Sequence, residues 1–280
     1  MDVAAVIGLC IGLGFFAWHL LNDPLADVHA YYDAGARLNA GLPLYQQAAT
    51  TNDAEFYRYP PLLAIAFRPL AMLPFPVAAA LWEAVVVGAT LLMVRWIPAG
   101  RPRRLALGIL AMPVLWTLAV GQAQALVTLG LATASPLGVA LAGHLKLTPW
   151  LAGLYWVARR DWRAVGRLVT WIVVLGLVQL VLEPAGTQAF LAFPTLDQVG
   201  RVRNLSPYAV SPLLWAATVA LLAGVAWRLA GSRWGWPAAV VLAVGVSPRL
   251  LAYQLSTFLA ALTPPSRGTP VPVTQTDDGT

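Results

Sequence analysis

The sequence predicts an all-α integral membrane protein, a multi-span helical bundle of about eight spans, since each crossing of a bilayer needs ~20 apolar residues. Hydrophobic residues make up 59% of the 280 residues and charged residues only 11%, against about 25% charged in soluble domains. Apolar runs of near-spanning length recur, without the alternation typical of a transmembrane barrel. We expect one integral domain over residues 1–262 and a disordered Pro-, Thr- and Gly-rich tail over residues 263–280.

The first apolar run, residues 3–22, is interpreted as a retained span, because it has neither a basic leading segment nor a small-residue cleavage site. The net charge of +6 comes from arginines concentrated in three short loops. This is the positive-inside pattern of cytoplasmic loops, so we interpret the basic excess as membrane topology and predict no nucleic-acid partner. The three clusters are Arg95, Arg101, Arg103 and Arg104; Arg159, Arg160, Arg163 and Arg167; and Arg228 and Arg233.

Placing these clusters in the cytoplasm fixes the direction of each span. The first loop, residues 23–75, is then extracytoplasmic, and the segment 122–158 crosses an odd number of times. The last two apolar segments are short for a ~30 Å core, which indicates broken or tilted helices that line a cavity. The predicted spans are 3–22, 76–94, 105–120, those within 122–158, 164–183, 211–230, 235–247 and 249–262.

The first extracytoplasmic loop begins with the signals of a helix. Asp23 followed by Pro24 is typical of an N-cap and a first helical position, and Gly41 is typical of a terminator. The helix between them has about four turns. Spacing of i,i+4 places Asp27 and Tyr31 on one of its faces.

Only one of the two acids on this helix is expected to face a shared site, because Asp33 lies on a different face from Asp27. Asp27 is in the first turns, where the helix dipole favours an anion. A dipole-stabilised surface acid is therefore the alternative to a functional role for Asp27.

Residues 62–73 follow this helix and are too few to cross a bilayer. A crossing here would also place the first arginine cluster outside. We interpret the segment as an interfacial helix on the outer leaflet, with Arg68 reaching toward the headgroups.

Five segments carry motifs in a consistent order. They are "DVHAYYDAGARLNAGLPLY" and "YPPL" in the first loop, then "GQAQALVTLGLA", "HLKLTPWLAGLYWVARRDW" and "SPRLLAY". Together they resemble glycosyltransferase family 87, which includes mannosyltransferases that depend on polyprenyl-phosphate mannose. The resemblance implies a GT-C-like fold and transfer of a sugar from a polyprenyl-phosphate donor on the extracytoplasmic face. It also implies that Asp27, which opens the first motif, is the catalytic base.

An acid at this position suits the chemistry that the resemblance implies. An inverting transfer needs a carboxylate within about 2.6–3.2 Å of the acceptor hydroxyl. The leaving group departs as a phosphate monoester and needs no proton. One base and a cation that stabilises the phosphate are therefore sufficient.

Other polar residues are candidates for substrate binding. Lys146, in an apolar stretch, could hold the donor phosphate as a point charge or snorkel at a short helix end. Arg201 and Arg203, basic residues in an outer loop, could grip the lipid phosphate or contact headgroups. Gln122 could bind the sugar or tie helices together, and the second role is favoured. The remaining candidates are Tyr31, Tyr32 and Tyr45, which could stack on sugars or form an interfacial belt, together with Asp33, Tyr59, Asn204, Arg249 and Tyr253.

The sequence therefore predicts a multi-pass cell-membrane glycosyltransferase, most simply a mannosyltransferase, with Asp27 as general base in an extracytoplasmic loop. Its partners would be a polyprenyl-phosphate sugar donor and a lipid or glycan acceptor. No cofactor or metal is predicted, because the sequence has no Walker loop, dinucleotide fingerprint or HExxH motif.

Two alternatives remain open. One is a transferase that uses another polyprenyl-phosphate sugar, such as arabinose. The other is a non-enzymatic lipid-binding or transport subunit. A transporter would carry its ionisable groups at the bilayer midplane within inverted repeats, whereas here the acids lie on a predicted outer loop and no repeat is visible.

Single cysteines test the predicted topology. Cysteines that replace Asp27 and Asn204 should react with a membrane-impermeant thiol reagent in intact cells. Cysteines that replace Arg103, Arg163 and Arg233 should react only after permeabilisation. Labelling of position 27 only after permeabilisation would contradict both the topology and a donor bound at the outer face.

Overall fold

The computed structural model describes residues 3–45, 57–192 and 203–263 of the chain. Within these ranges the chain forms helices and no strand, which confirms the all-helical class, and the predicted tail beyond Thr263 lies outside the described residues. The α-helices, in chain order, are α1 (Val3–Asn22), α2 (Ala26–Asn39), α3 (Pro61–Phe67), α4 (Phe75–Trp96), α5 (Arg101–Ile109), α6 (Ala111–Ala119), α7 (Gln124–Ala132), α8 (Pro136–Leu145), α9 (Leu154–Ala158), α10 (Trp162–Leu182), α11 (Pro184–Ala192), α12 (Pro212–Leu229) and α13 (Gly235–Gly245). Short 3₁₀ segments lie at Leu70–Met72, Thr148–Gly153, Pro207–Ala209 and Ala252–Leu262.

Four helices, α1, α4, α10 and α12, are long and apolar enough to cross a membrane. The first and last residues of each helix lie within two residues of the bounds of a span predicted from the sequence. At most 33% of the most apolar window of any of them is buried inside the protein, so their large apolar side chains face outward. Apolar surface of this extent indicates contact with a membrane. Among the described residues, long helices match the predicted count of about eight spans at these four, and the count stays a prediction for the shorter segments.

The segment predicted to cross at 105–120 forms two helices, α5 and α6, that meet at Leu110. Pro113 accounts for the break. It has no N–H to bond with the carbonyl of Ile109, and its ring crowds that carbonyl. The two helices together cover the predicted segment.

The last two apolar segments were predicted to be broken or tilted helices. They form α13 and the 3₁₀ segment Ala252–Leu262, separated by a turn that contains Pro248. Both pack into a core with α7 and α8. Trp236 and Leu259 are among the fully buried side chains of this core.

The first span packs against α5 and α6 at backbone distance. Gly8 and Gly12 of α1 face Gly108 and Ala111, and a Cβ on either α1 glycine would overlap main-chain atoms of the opposite helix. Small residues with this spacing let helices approach closely inside a membrane. The position of α6 along α1 is therefore fixed by direct contact.

The start of α2 differs from the prediction, because Asp23 does not cap it. The Asp23 carboxylate lies 2.6 Å from Nδ1 of His19, and its backbone N–H donates to the His19 carbonyl. His19 is buried at the end of α1 and needs a polar partner, so Asp23 ends α1 instead. The residue before α2 is Leu25, in the left-handed conformation with φ 57° and no side-chain cap. Gly41, with φ 66°, follows the end of the helix as predicted.

The first-loop helices form a packed layer on α4. Tyr31 of α2, Phe67 of α3 and Trp82 of α4 meet edge to face, with ring centroids 4.7–5.8 Å apart. Gly35 of α2 lies against the backbone of Phe67. α3 and the 3₁₀ turn after it occupy the segment predicted as an interfacial helix. Their place at the membrane interface stays a prediction.

The turn between α6 and α7 depends on Gly121, which has φ 67°. A Cβ at this position would overlap Val28 of α2 and crowd the carboxyl group of Glu83. The Gly121 carbonyl also accepts a hydrogen bond of 2.7 Å from the Trp82 indole. The position therefore requires both the conformation and the small size of glycine.

Substitution Gly121→Ala should lower the stability of the solubilised protein. The left-handed conformation alone costs an alanine about 1–2 kcal/mol, and the overlap with Val28 adds to this. We expect a melting temperature several degrees lower, measured by intrinsic fluorescence. Gly88→Ala on α4 is the matched control, because its Cβ meets nothing within 4 Å, and it should not lower the melting temperature. Equal melting temperatures for the two variants would contradict this account of the turn.

Candidate active site

The site forms where the start of α2 meets the end of α6. The backbone N–H of Leu25 donates to the carbonyl of Ala119, and that of Asp27 donates to the carbonyl of Val120, both at 3.1 Å. Each bond pairs two groups that helix ends leave unsatisfied. Asp27 is therefore held at the Gly121 turn, in the first turn of α2.

Gln122 follows this turn and is only 1% exposed. Its Oε1 accepts hydrogen bonds from the hydroxyls of Tyr31, at 2.7 Å, and Tyr59, at 2.6 Å. The Tyr31 oxygen in turn accepts from the N–H of Ala123 at 3.3 Å. The Gln122 side chain also acts on the Asp27 carboxyl and lowers its pKa, as expected if Asp27 and Tyr31 share a face of α2. Gln122 thus joins separate parts of the chain, which is the role the sequence favoured for it.

Lys146 lies directly after α8 with its ammonium among polar and aromatic groups. Nζ donates to Gln124 Oε1 at 2.7 Å and to the hydroxyl of Tyr253 at 3.4 Å. It also lies 4.7 Å from the ring centroid of Tyr253 and 5.4 Å from that of Tyr59, where a cation is attracted to an aromatic face. The charges of Lys146 and Asp27 interact, so the structure brings these two predicted residues to one site.

A second polar layer holds the Gln124 side chain in place. Its Nε2 donates to the Thr257 hydroxyl at 2.6 Å, and that hydroxyl lies 3.1 Å from the Thr128 hydroxyl. With Nε2 committed to Thr257, the Oε1 of Gln124 is directed to Lys146. A small cavity beside Lys146 is lined by Gln124 and Thr257 together with Ser247 and Gln254.

The electrostatic environment of Asp27 has opposing parts. Burial raises the pKa of the Asp27 carboxyl well above its usual range, because removal from water penalises the charged form. The positive charge of Lys146, the hydrogen bond from Gln122 and the charge of Arg58 lower this pKa, while Asp23 raises it. The net result is a carboxyl group with a raised pKa beside a cation.

Two arginines complete the charge around the site. Arg249, predicted from the "SPRLLAY" motif, interacts electrostatically with Lys146 and with Tyr253. Arg58 acts on Asp27 and Tyr253 and was missing from the predicted residues. The available signal was its place between two tyrosines directly before "PPL".

The candidates from the predicted outer loop make contacts of their own. Asn204 fixes the turn before Ala252–Leu262: its amide N–H donates to the carbonyl of Pro248, and its oxygen accepts from the N–H of Leu250. The Arg203 guanidinium lies 5.8 Å from the ring centroid of Trp18 on α1. Arg201 lies outside the described residues.

The remaining candidates lie around α2. The Tyr32 hydroxyl donates to the carbonyl of Leu73, and the Tyr45 hydroxyl donates to the carbonyl of Tyr59. Asp33 is exposed, as expected for the acid on the other face of the helix. Of the two acids, Asp27 is therefore the one at the shared site.

These features belong to a polytopic helical membrane protein with a carboxylate and several cations gathered at one site. The chain is a member of glycosyltransferase family 87, whose model matches residues 56–263. The match confirms the resemblance that the motifs indicated. It begins after α2, so it does not include Asp27.

Two curated relatives carry the same printed name, polyprenol-phosphate-mannose-dependent alpha-(1-2)-phosphatidylinositol pentamannoside mannosyltransferase. The protein of Mycolicibacterium smegmatis is 29% identical over 269 residues, which cover 86% of this chain and 63% of that protein. The protein of Mycobacterium tuberculosis is 28% identical over 273 residues, which cover 80% of this chain and 62% of that protein. The chain thus spans less than two thirds of the length of these relatives. No solved structure gives a significant match.

Proposed function

We propose that this chain is a membrane glycosyltransferase that transfers mannose from a polyprenyl-phosphate donor to a lipid or glycan acceptor. The transfer takes place at the extracytoplasmic face, with Asp27 as general base. The observation that carries the proposal is the partly buried Asp27 carboxylate, whose charge interacts with that of Lys146, in a member of glycosyltransferase family 87. The names of the curated relatives support mannose and a polyprenyl phosphate.

The proposed reaction uses one base. The Asp27 carboxylate accepts the proton of the acceptor hydroxyl as its oxygen forms a bond to the anomeric carbon of the sugar. The bond from that carbon to the phosphate oxygen breaks, and polyprenyl phosphate leaves with the electron pair. Proton removal of this kind requires the carboxylate within about 2.6–3.2 Å of the hydroxyl.

The surroundings of Asp27 suit a base. A carboxylate with a raised pKa accepts a proton more readily than an ordinary aspartate, so it assists proton removal more strongly. Lys146 and Gln122 oppose burial and favour the ionised form that a base needs.

Lys146 and Arg249 are the proposed partners of the donor phosphate, because both lie around Tyr253 at the same site as Asp27. Their positive charge would stabilise the charge that develops on the leaving phosphate. Arg58, whose charge also acts on Tyr253, would add to this field. Arg201 and Arg203 stay proposals for contacts with the lipid phosphate beyond this centre.

Asp27→Asn should abolish sugar transfer while expression and donor binding stay nearly normal. The replacement is almost isosteric but cannot accept the proton. Loss of a general base typically lowers the rate about 10²–10⁴-fold. The measurement is transfer of labelled mannose from polyprenyl-phosphate mannose by membranes that contain each variant.

Asp33→Asn is the control within the same helix, because Asp33 is exposed on another face. It should lower the rate much less. If Asp33→Asn were inactive and Asp27→Asn transferred mannose at a near-normal rate, Asp27 would not be the base. Normal rates in both variants would leave the first loop without a catalytic role.

Lys146→Met should lower the transfer rate about 10²-fold or more. Removal of one hydrogen-bond donor that stabilises the charge developing in a transition state typically lowers kcat about 10²–10³-fold. It should also move the acidic limb of the pH–rate profile to higher pH, because Lys146 lowers the pKa of the Asp27 carboxyl. Steady-state rates across pH measure both effects. Arg68→Met, which removes a cation hydrogen-bonded to Asn39 after α3, is the control and should change neither. An unchanged profile in Lys146→Met would remove Lys146 from the site.

A further inference from the structure

We infer that Gln122 is a positioning residue for Asp27, and that the hydroxyls of Tyr31 and Tyr59 hold its amide in the required orientation. The inference rests on the proposed function of Asp27 as a base. It concerns a residue that touches neither the sugar nor the phosphate in the proposed reaction. Its effect is to direct an amide N–H at the carboxylate.

The orientation of the Gln122 amide is determined by its two tyrosine partners. Both hydroxyls donate to the same oxygen, at 2.7 Å from Tyr31 and 2.6 Å from Tyr59. A carbonyl oxygen has two lone pairs, and both are used. The NH₂ group therefore cannot exchange places with the oxygen without breaking two hydrogen bonds in a site that is almost fully buried.

The direction of the Tyr31 hydrogen bond is fixed as well. Its hydroxyl oxygen accepts the backbone N–H of Ala123 at 3.3 Å, so its own proton is free to point at Gln122. The order of donors is thus Ala123 N–H to Tyr31 and Tyr31 O–H to Gln122, which leaves the Gln122 NH₂ group to act on the Asp27 carboxyl. Hydrogen bonds arranged in one direction polarise and strengthen one another.

The same turn holds the backbone of Asp27. Its N–H donates to the carbonyl of Val120, two residues before Gln122. The carboxylate and the amide are therefore attached to one rigid unit, closed at Gly121.

Several other groups act on the Asp27 carboxylate, and the test must separate Gln122 from them. Lys146 and Arg58 attract its negative charge, and Asp23 repels it. The charge of Asp27 also acts on the three buried tyrosines around it, which are Tyr31, Tyr59 and Tyr253.

The experiment compares Gln122→Leu with Gln179→Leu. Gln179 is a matched control, because it is also a buried glutamine whose amide joins two segments, accepting from Leu62 N–H at 3.0 Å and lying 2.6 Å from His144. Loss of either amide should disturb packing to a similar degree. Of the two glutamines, Gln122 is the one that acts on the Asp27 carboxyl, so only its loss should move the acidic limb of kcat.

We expect Gln122→Leu to move that limb upward by about one pH unit, since a hydrogen bond to a charged group has about this effect on a pKa. The sign follows because the amide N–H favours the ionised carboxylate, which is the form that accepts the proton. The KM for the donor should change less than kcat. Gln179→Leu should keep the limb of the native protein.

Tyr31→Phe and Tyr59→Phe provide the test if Gln122→Leu does not fold. Each keeps its ring and loses one of the two hydroxyls that orient Gln122. Each should move the limb in the same direction as Gln122→Leu, by a smaller amount. An unmoved limb in all folded variants, or an equal movement in Gln179→Leu, would overturn the inference.

A spectroscopic readout separates this inference from the proposed reaction. The infrared band of the protonated Asp27 carboxyl is identified by its loss in Asp27→Asn and is titrated with pH. A higher midpoint in Gln122→Leu supports the inference even if the native protein transfers no mannose, in which case only the proposed function fails. An unchanged midpoint in a protein that does transfer mannose overturns the inference alone.

Discussion

The pairing between the start of α2 and the end of α6 is the interaction on which the site depends. Two N–H groups of one helix meet two carbonyls of the other at 3.1 Å, so each end satisfies groups that the other leaves unpaired. This contact turns a segment between two spans into a fixed part of the bundle. Gly121 makes it possible, because no other residue fits between Val28 and Glu83 at that backbone conformation.

The polar groups around Asp27 and Lys146 have a physical reason. A charge without partners in an apolar surrounding is costly, and both residues lie in a chain that is 59% hydrophobic. Amide, hydroxyl and aromatic groups contact Lys146, and the Gln122 side chain acts on Asp27. A surface acid that merely favoured a helix dipole would not require such a network, which is why the geometry supports a functional Asp27 over that alternative.

Much of the fold could be predicted from hydropathy, because length and apolar composition are sufficient to recognise the long helices α1, α4, α10 and α12. The shared face of Asp27 and Tyr31 follows from helical spacing. The role of Asp23 could not be predicted in this way. The local sequence favours a helix cap, whereas in the structure the buried His19 binds the same carboxylate. The orientation of Gln122 and the place of Arg58 depend on contacts between distant segments, which no spacing rule contains.

The close contact between α1 and α6 also bears on depth in the bilayer. With 20 residues, α1 is about 30 Å long, near the thickness of a hydrocarbon core. Since α6 is in backbone contact with α1 and its end holds Asp27, the carboxylate lies just beyond the last turn of the first span. In the predicted topology, that is the level of lipid headgroups. A donor anchored by its polyprenyl chain would then present its sugar–phosphate bond at the height of Asp27 without leaving the membrane.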